Sequence, residues 1–326
     1  MKSAEVIIVG GGPAGSSCAW SLKRQGVDCL VLDKETFPRT KLCAGWITPE
    51  VVEDLEMDIA SYPHRFLSLK KLHFHFPMIG LSPPTLQHSI RRYEFDAWLL
   101  ERSAAPVDTH KVQTIRQQGE EYIIDERYRC RYLIGAGGTR CPVYRELFRQ
   151  LSPRAGKKQV VALEEEFPYD YRNNQCHLWF FDKDLPGYSW YVPKADGYIN
   201  IGIGAMAEKL KTRGGDIKSH WNHLTRKLER KRLIRGHDFK PKGYSYYTRG
   251  KAEVFRSGNA FIAGDAAGLS TKDMAEGIGP AVKSGLRAAD AIVNGSPYDL
   301  TGINSKSFDT KRLMLSWLTR RPYSAA

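Results

Sequence analysis

Gly10, Gly12 and Gly15 stand at the spacing G-x-G-x-x-G, and Asp33 closes an apolar run over residues 27–33. Residues of those types in that order suit the holding of a dinucleotide. Gly10 permits a tight turn, Gly12 lets a pyrophosphate approach backbone that has no Cβ, and Gly15 lets a helix pack closely on a strand. The helix opened by Pro13 and Ala14 turns unpaired N–H groups toward the phosphate. An acid about 20 residues further on can accept from ribose hydroxyls. Alone, Asp33 would read equally well as an ordinary strand-end residue.

Other residues could serve the same ligand. Lys34 and Lys41 are cations beside the turn, with an anion as their natural target. Cys43 precedes the small pair Ala44-Gly45, where backbone can come close to a flat ring; a buried structural cysteine would look the same. Arg92 stands at the mouth of a helix, and a strand runs into Gly135-Ala136-Gly137-Gly138. Asp265 follows a buried strand in a small-residue turn and suits a ribitol or ribose hydroxyl. Gly277 and Ile278 open an Ala-rich helix whose N–H groups and positive end can face developing negative charge. His73 and His75 would share a strand face, but no third ligand is near in sequence and no metal site is expected.

The elements that must position these residues follow from periodicity. Strand 6–9, helix 16–25 and strand 27–33 form a βαβ-type start, and an irregular basic stretch broken by Pro38 and Pro49 comes next. A strand over 67–76, a helix over 89–102, a short return strand over 107–112 ending at Val112, and an antiparallel pair near 122–134 precede the second glycine stretch. Between 160 and 247 the texture becomes strand-rich and aromatic, with runs at 159–166, 176–181, 188–193, 198–203 and 243–248 and one basic helix over 217–235. The reading is an α/β protein. A dinucleotide-binding domain over 1–66, 89–158 and 249–295 is interleaved with an antiparallel-sheet domain over 67–88 and 159–248, followed by a short tail over 296–326. An aromatic sheet face would make a wall for a flat or apolar substrate.

Composition bounds the partners. The 326 residues carry a formal charge of +13, which favours an acidic redox partner, a phosphorylated ligand or the face of an anionic membrane. The basic run over 226–235 reads as a solvated helix face or a docking face, and nothing resembles a nucleic-acid module. Six cysteines without a C-x-x-C pair suit reduced thiols. With no basic-then-apolar leader and no apolar run of roughly 18 residues, a cytoplasmic protein, at most peripheral to a membrane, is expected.

Four motifs together resemble the flavoproteins of the p-hydroxybenzoate-hydroxylase-like superfamily, and most closely their geranylgeranyl reductase family. They are the glycine turn with Asp33, Arg92-x-x-Phe95-Asp96, Gly135–Val143 with Gly137 in place of the usual aspartate, and Gly264-Asp265-Ala266-Ala267-Gly268 followed by Glu276-Gly277-Ile278. Lys41-Leu42-Cys43-Ala44-Gly45 is similar to the reductases' Cys-Gly-Gly loop. The stretch from Tyr188 through Trp190 to Pro193 is similar to their Y-x-W-x-F-P substrate-side motif. The resemblance implies a Rossmann-type FAD-binding domain, with FAD held by the residues named above together with Val112, Ala136, Gly137 and Gly264. It also implies hydride delivery to a carbon–carbon double bond of an isoprenoid or another apolar substrate. Cys43 would lie near the reacting face, as proton donor or positioning group. Lys272, where the family has a proline, would place a cation near the flavin. The electron donor would be NAD(P)H or a reduced ferredoxin. The tail is short for the family, so a smaller substrate is expected. A monooxygenase or halogenase of the same fold, or a non-catalytic flavin carrier, stays open.

Overall fold

A computed structural model of the chain describes residues 1–250, 254–303, 306 and 307, and these form two compact units. The first comprises Met1–Arg39, Tyr93–Ala155 and the described part of Tyr247–Ser307. Its sheet is built outward from Lys2–Val9, which lies parallel between Cys29–Asp33 and Tyr128–Gly135. Ala260–Ile262 continues the sheet on one side and Val107–Thr109 on the other. Val6 through Val9 are all buried, as a central parallel strand covered on both faces must be. Alternate residues serve opposite faces. Val6 and Ile8 join Val31, Ile134 and Phe261 under the helices Pro13–Arg24 and Ile278–Val293. Ile7 and Val9 join Leu30, Leu133, Phe148 and Leu300 on the other side.

Those two helices touch backbone to backbone. A Cβ on Gly285 would stand 2.1 Å from the Ala14 carbonyl oxygen, so glycine is required where the second helix crosses the first.

The second unit comprises Thr40–Arg92 and Gly156–Tyr246 among the described residues. Its sheet runs in the order Lys242–Tyr247, Gln159–Pro168, Tyr198–Met206, Gly187–Lys194, Cys176–Phe180, Leu67–His75, Pro84–Ser89, Trp46–Ile47. From Gln159–Pro168 to Cys176–Phe180 and from Leu67–His75 to Trp46–Ile47 the pairing is antiparallel, but Cys176–Phe180 and Leu67–His75 are parallel, so the sheet is mixed. Helix Ile217–Arg230, capped by the Asp216 carboxylate, packs Trp221, Leu224 and Leu228 on Tyr191, Ile199, Ile201 and Ile203. It ends five residues before the expected 235.

Two expected boundaries move. Residues 40–66 group with the second unit, because Trp46–Ile47 pairs with the strand Pro84–Ser89 and the Lys194 ammonium holds the carbonyls of Ala44 and Gly45. Residues 296–303 of the expected tail pack on the first unit: the Tyr298 hydroxyl donates to the Ile262 carbonyl at 2.9 Å, and Leu300 and Ile303 are buried there. Residues 308–326 of the expected tail lie outside the described residues. Among the described residues no helix is long and apolar enough to cross a membrane.

Candidate active site

The glycine turn divides its labour as its spacing predicts. Gly10 has φ +113°, and a Cβ there would lie 2.4 Å from the Ala136 carbonyl oxygen. A Cβ on Gly15 would lie 1.8 Å from the Gly10 carbonyl oxygen. Gly12 differs: the one atom near its absent Cβ is Nη2 of Arg39, at 3.4 Å. The turn is packed shut at two glycines and open at the third, as the approach of a phosphate there would require.

Asp33 is more than a strand end. Its Oδ2 accepts from the Gly11 N–H at 2.7 Å and its Oδ1 from the Glu35 N–H at 2.9 Å. A carboxylate has about four acceptor positions, so places remain for ribose hydroxyls. Asp33→Ala strips both N–H groups of their acceptor, which costs about 1–3 kcal/mol. We expect it to weaken FAD retention about tenfold, read by flavin absorbance per chain after gel filtration. Arg39, which the sequence did not single out, reaches Asp96 Oδ2 at 3.3 Å and lies over the Phe37 ring at 4.6 Å. Asp96 is wholly buried and needs that cation. Thus the acid of the Arg92-x-x-Phe95-Asp96 motif positions a guanidinium beside Gly12.

The remaining cofactor candidates are placed unevenly. Ala136 donates its N–H to the Val9 carbonyl at 2.8 Å, and Gly137 precedes the single turn Gly138–Arg140. Val112 is buried in the core of the first unit. Pro13 and Ala14 are buried at the helix start, and Arg92 is buried at the start of its own helix. Lys34 is exposed and pairs with Glu35 at 3.6 Å. Lys272 is exposed, six residues before helix Ile278–Val293.

Asp265 and Gly277 do come together. Ser270 donates to Asp265 Oδ1 at 3.3 Å, and a Cβ on Gly277 would lie 3.3 Å from that same oxygen. Gly264, at φ +58°, fits between Ala14 and Ala281, and Ile278 is the first residue of the helix. One expectation changes. The Gly279 N–H is already taken by Glu276 Oε1 at 2.6 Å, so this helix end carries its own acid and not a full set of free N–H groups. Arg154, which no motif announced, donates to the carbonyls of Thr139 at 2.5 Å and Ala266 at 2.7 Å and lies 3.7 Å over Tyr144. It thereby ties the two small-residue turns of the first unit together.

In the second unit, the loop of Cys43, Ala44 and Gly45 rests on a buried polar network. The Cys43 N–H donates to Glu164 Oε1, and Asn200 Nδ2 donates to the Cys43 carbonyl at 3.2 Å. Lys194 Nζ donates to the carbonyls of Ala44 and Gly45, the latter at 2.6 Å. Tyr244 donates its hydroxyl to Glu164 Oε2 at 3.2 Å, with the Lys41 ammonium 5.2 Å over its ring. Gly45 has φ +63°, and a Cβ there would meet the Ile90 carbonyl oxygen at 2.5 Å. Cys43 is half-buried, and its sulfur accepts from the Gly45 N–H at 3.4 Å. Burial pushes the Glu164 carboxyl up to about 7 against the hydrogen bonds it accepts, and pushes the Lys194 ammonium down to about 8.

The substrate-side candidates divide. Tyr188 is half-buried, 5.7 Å from the Trp190 ring. Trp190 is buried, and its Nε1–H donates to Asn200 Oδ1 at 2.7 Å, so it acts on the Cys43 loop through Asn200. Pro193 is buried and accepts from Ser89 at 2.7 Å. His73 and His75 gain a third imidazole, His177, across the parallel pair. However, His75 and His177 hydrogen-bond each other at 3.1 Å, and no metal-binding group occurs among the described residues.

Comparison with known proteins fits this geometry. The family described as FAD dependent oxidoreductase matches residues 5–103, and that described as FAD binding domain matches residues 99–292. The chain belongs to the FAD-dependent oxidoreductases. An uncharacterised protein of Methanosarcina barkeri is 33% identical over 307 residues, covering 90% of this chain and 75% of its own length. The menaquinone reductase of Mycobacterium tuberculosis is 28% identical over 321 residues, covering 89% and 76%. Geranylgeranyl diphosphate reductases and a flavin-dependent halogenase are among its other relatives. A geranylgeranyl bacteriochlorophyll reductase-like structure from Thermoplasma acidophilum superposes with a TM-score of 0.76 at 19% identity, covering 99% of this chain and 85% of that one. The residues of this oxidoreductase fit FAD: Gly12 leaves room for a pyrophosphate, Asp33 keeps acceptor positions for a ribose, and Asp265 sits beside the Gly277 helix start.

Proposed function

We propose that this oxidoreductase reduces a carbon–carbon double bond of an isoprenoid or a similarly apolar substrate. The observation that carries this reading is the Cys43 loop. Its Cys43 N–H and the carbonyls of Cys43, Ala44 and Gly45 are all bound by Glu164, Asn200 and Lys194, while the Cys43 residue is half-buried and its sulfur accepts from the Gly45 N–H at 3.4 Å. Such a mounting fixes one proton-bearing group in place. Reduction of a double bond needs a hydride on one carbon and a proton on the other. Bound FAD, once reduced, supplies the hydride. Cys43 supplies the proton and regains one from water. The reading is supported by relatives named as menaquinone and geranylgeranyl diphosphate reductases. NAD(P)H or a reduced ferredoxin is proposed as electron donor, and exposed Lys272 is proposed as a cation near the flavin.

The test is anaerobic. Dithionite-reduced protein mixed with prenyl and quinone acceptors is expected to regain its flavin absorbance without oxygen, with a hydrogenated product by mass. Cys43→Ala is expected to keep its FAD and to slow that return about 10²-fold. Return only on admitting air, with an oxygenated or halogenated product, would replace the reductase with the monooxygenase or halogenase reading. Full turnover in Cys43→Ala would remove the thiol from the reaction and leave the reductase standing.

A further inference from the structure

Two stretches of the sequence have no part in the flavin chemistry: the basic run over 226–235 and the hairpin that follows His75. The fold brings them to one edge of the second sheet. Leu67–His75 and Cys176–Phe180 are parallel, so both strands end on that edge. There the first turns through residues 76–79 into Gly80–Leu81, and the second enters the turn Asp182–Asp184. Phe76 stacks on Phe180 at 5.0 Å, which seats the hairpin on the neighbouring strand.

The tip is apolar and open. Met78 is 95% exposed, Ile79 57% and Leu81 49%, and Phe181 on the adjoining turn is 54% exposed. Turns ordinarily place polar or small residues in such positions. Large apolar side chains gathered in water mark a contact surface.

Cations surround the same edge. Helix Ile217–Arg230 ends there, with Lys227 paired to Asp182 and lying 5.3 Å over the Trp179 ring. Lys231, its C-terminal cap, acts on the imidazoles of His75 and His177. Arg230, Lys231, Arg232 and Lys183 are all exposed. Of the acids nearby, Asp182 is neutralised by Lys227, which leaves exposed Asp184 and Glu229 against exposed Lys183, Arg230, Lys231 and Arg232. The surplus is positive, as in the chain as a whole at +13.

From this juxtaposition we propose that the edge docks the protein on an anionic lipid surface. The 78–81 tip enters the interface, and Lys183, Arg230, Lys231 and Arg232 meet the headgroups. An acidic protein would satisfy the cations but would give Met78 and Ile79 nothing apolar to enter. An anionic bilayer satisfies both, by apolar burial and by charge.

The test is sedimentation of the FAD-loaded protein with sucrose-filled vesicles of phosphatidylcholine, with and without phosphatidylglycerol. The protein is expected to sediment with the anionic vesicles and to be released by salt. Met78→Asp combined with Ile79→Asp is expected to weaken binding about tenfold or more, and Lys231→Glu combined with Arg232→Glu about as much. All four positions are exposed, and unchanged FAD content shows that the variants fold. The proposal is overturned if the wild-type protein stays in the supernatant with anionic vesicles. It is equally overturned if the hairpin variant sediments like wild type while the charge variant does not, since the cations would then serve an acidic protein.

Discussion

Gly15→Ala is expected to empty the protein of FAD and destabilise its first unit, whereas Gly12→Ala is expected to empty it and leave that unit standing. The two glycines lie three residues apart in one turn, but they face different things. At Gly15 an added Cβ would sit 1.8 Å from the Gly10 carbonyl oxygen and 3.1 Å from Ile8 Cγ2. Both neighbours belong to the central strand or to the turn that leaves it, and backbone cannot swing aside as a long side chain can. The helix Pro13–Arg24 would have to lift off the strand, carrying its contact with helix Ile278–Val293. Overpacking of this kind costs about 3 kcal/mol or more. At Gly12 the backbone is extended, at φ −76° and ψ −175°, which alanine adopts freely, and the single neighbour is the movable end of Arg39. The change should cost under about 1 kcal/mol while placing a methyl where the phosphate must lie. Urea midpoints and flavin per chain for the two variants separate the roles. A Gly15→Ala protein that keeps its FAD, or a Gly12→Ala protein as unstable as Gly15→Ala, would show that the division is wrong.

The glycine turn was legible in the sequence because much of what it does is local. Gly15 meeting Gly10, and Asp33 holding the Gly11 N–H, fall within one strand–helix–strand unit, whereas Ala136 against Gly10 and Arg39 beside Gly12 were not announced by the spacing. Six strands of the second sheet were legible as strand-like runs, whereas the short strands Trp46–Ile47, Gly80–Leu81 and Pro84–Ser89 were not. The network under Cys43 was not. Glu164, Lys194, Asn200 and Tyr244 come from four different strands, and each looks unremarkable beside its sequence neighbours. Glu164 is one of three consecutive glutamates: the pleat sends Glu165 to the opposite face, but Glu166 shares the face of Glu164, and only tertiary packing buries Glu164 while Glu166 stays partly exposed beside Arg91. Asn200, a lone amide in an apolar strand, was the one available signal, since a buried amide must have partners. The boundary at residue 40 was hidden because the strand that sets it, Trp46–Ile47, is two residues long and pairs about forty positions onward. Glu276 misled in the opposite way. Beside Gly277 it reads as the edge of an open helix mouth, but its carboxylate folds back on Gly279.

Glu164→Gln is expected to remove a slope from the pH dependence of stability, and Lys194→Met to remove a second slope of opposite sign. In the folded chain burial holds the Glu164 carboxyl near 7, against an ordinary value of 4.5. Below pH 4.5 the acid is neutral in both states and its burial carries no charge penalty. Between about 4.5 and 7 the unfolded chain has lost the proton and the folded chain has kept it, so stability falls as pH rises, by about 3 kcal/mol at 1.36 kcal/mol per pH unit. Lys194 is the mirror case, held near 8 against an ordinary 10.5. Below pH 8 the ammonium is charged in both states, and from about 8 to 10.5 the folded chain sheds its proton first, so stability rises by about 3 kcal/mol. Histidines pushed down by burial, His177 to about 3 among them, lower stability as pH falls below 6.5, but they do so equally in wild type and variants. Hence the quantity to measure is the difference between wild-type and variant urea midpoints across pH 4.5–10. Glu164→Gln keeps the contacts: its carbonyl accepts from the Cys43 N–H and its amide donates to the Tyr244 oxygen, as the protonated acid would, with the tyrosine hydroxyl turned round. Lys194→Met leaves the buried Ala44 and Gly45 carbonyls without their donor, a loss of about 1–3 kcal/mol for each group left unsatisfied. A flat difference for Glu164→Gln between pH 4.5 and 7 would mean that the acid is ionised throughout. The Cys43 loop would then rest on a fixed anion, and not on a group able to gain and lose a proton in place.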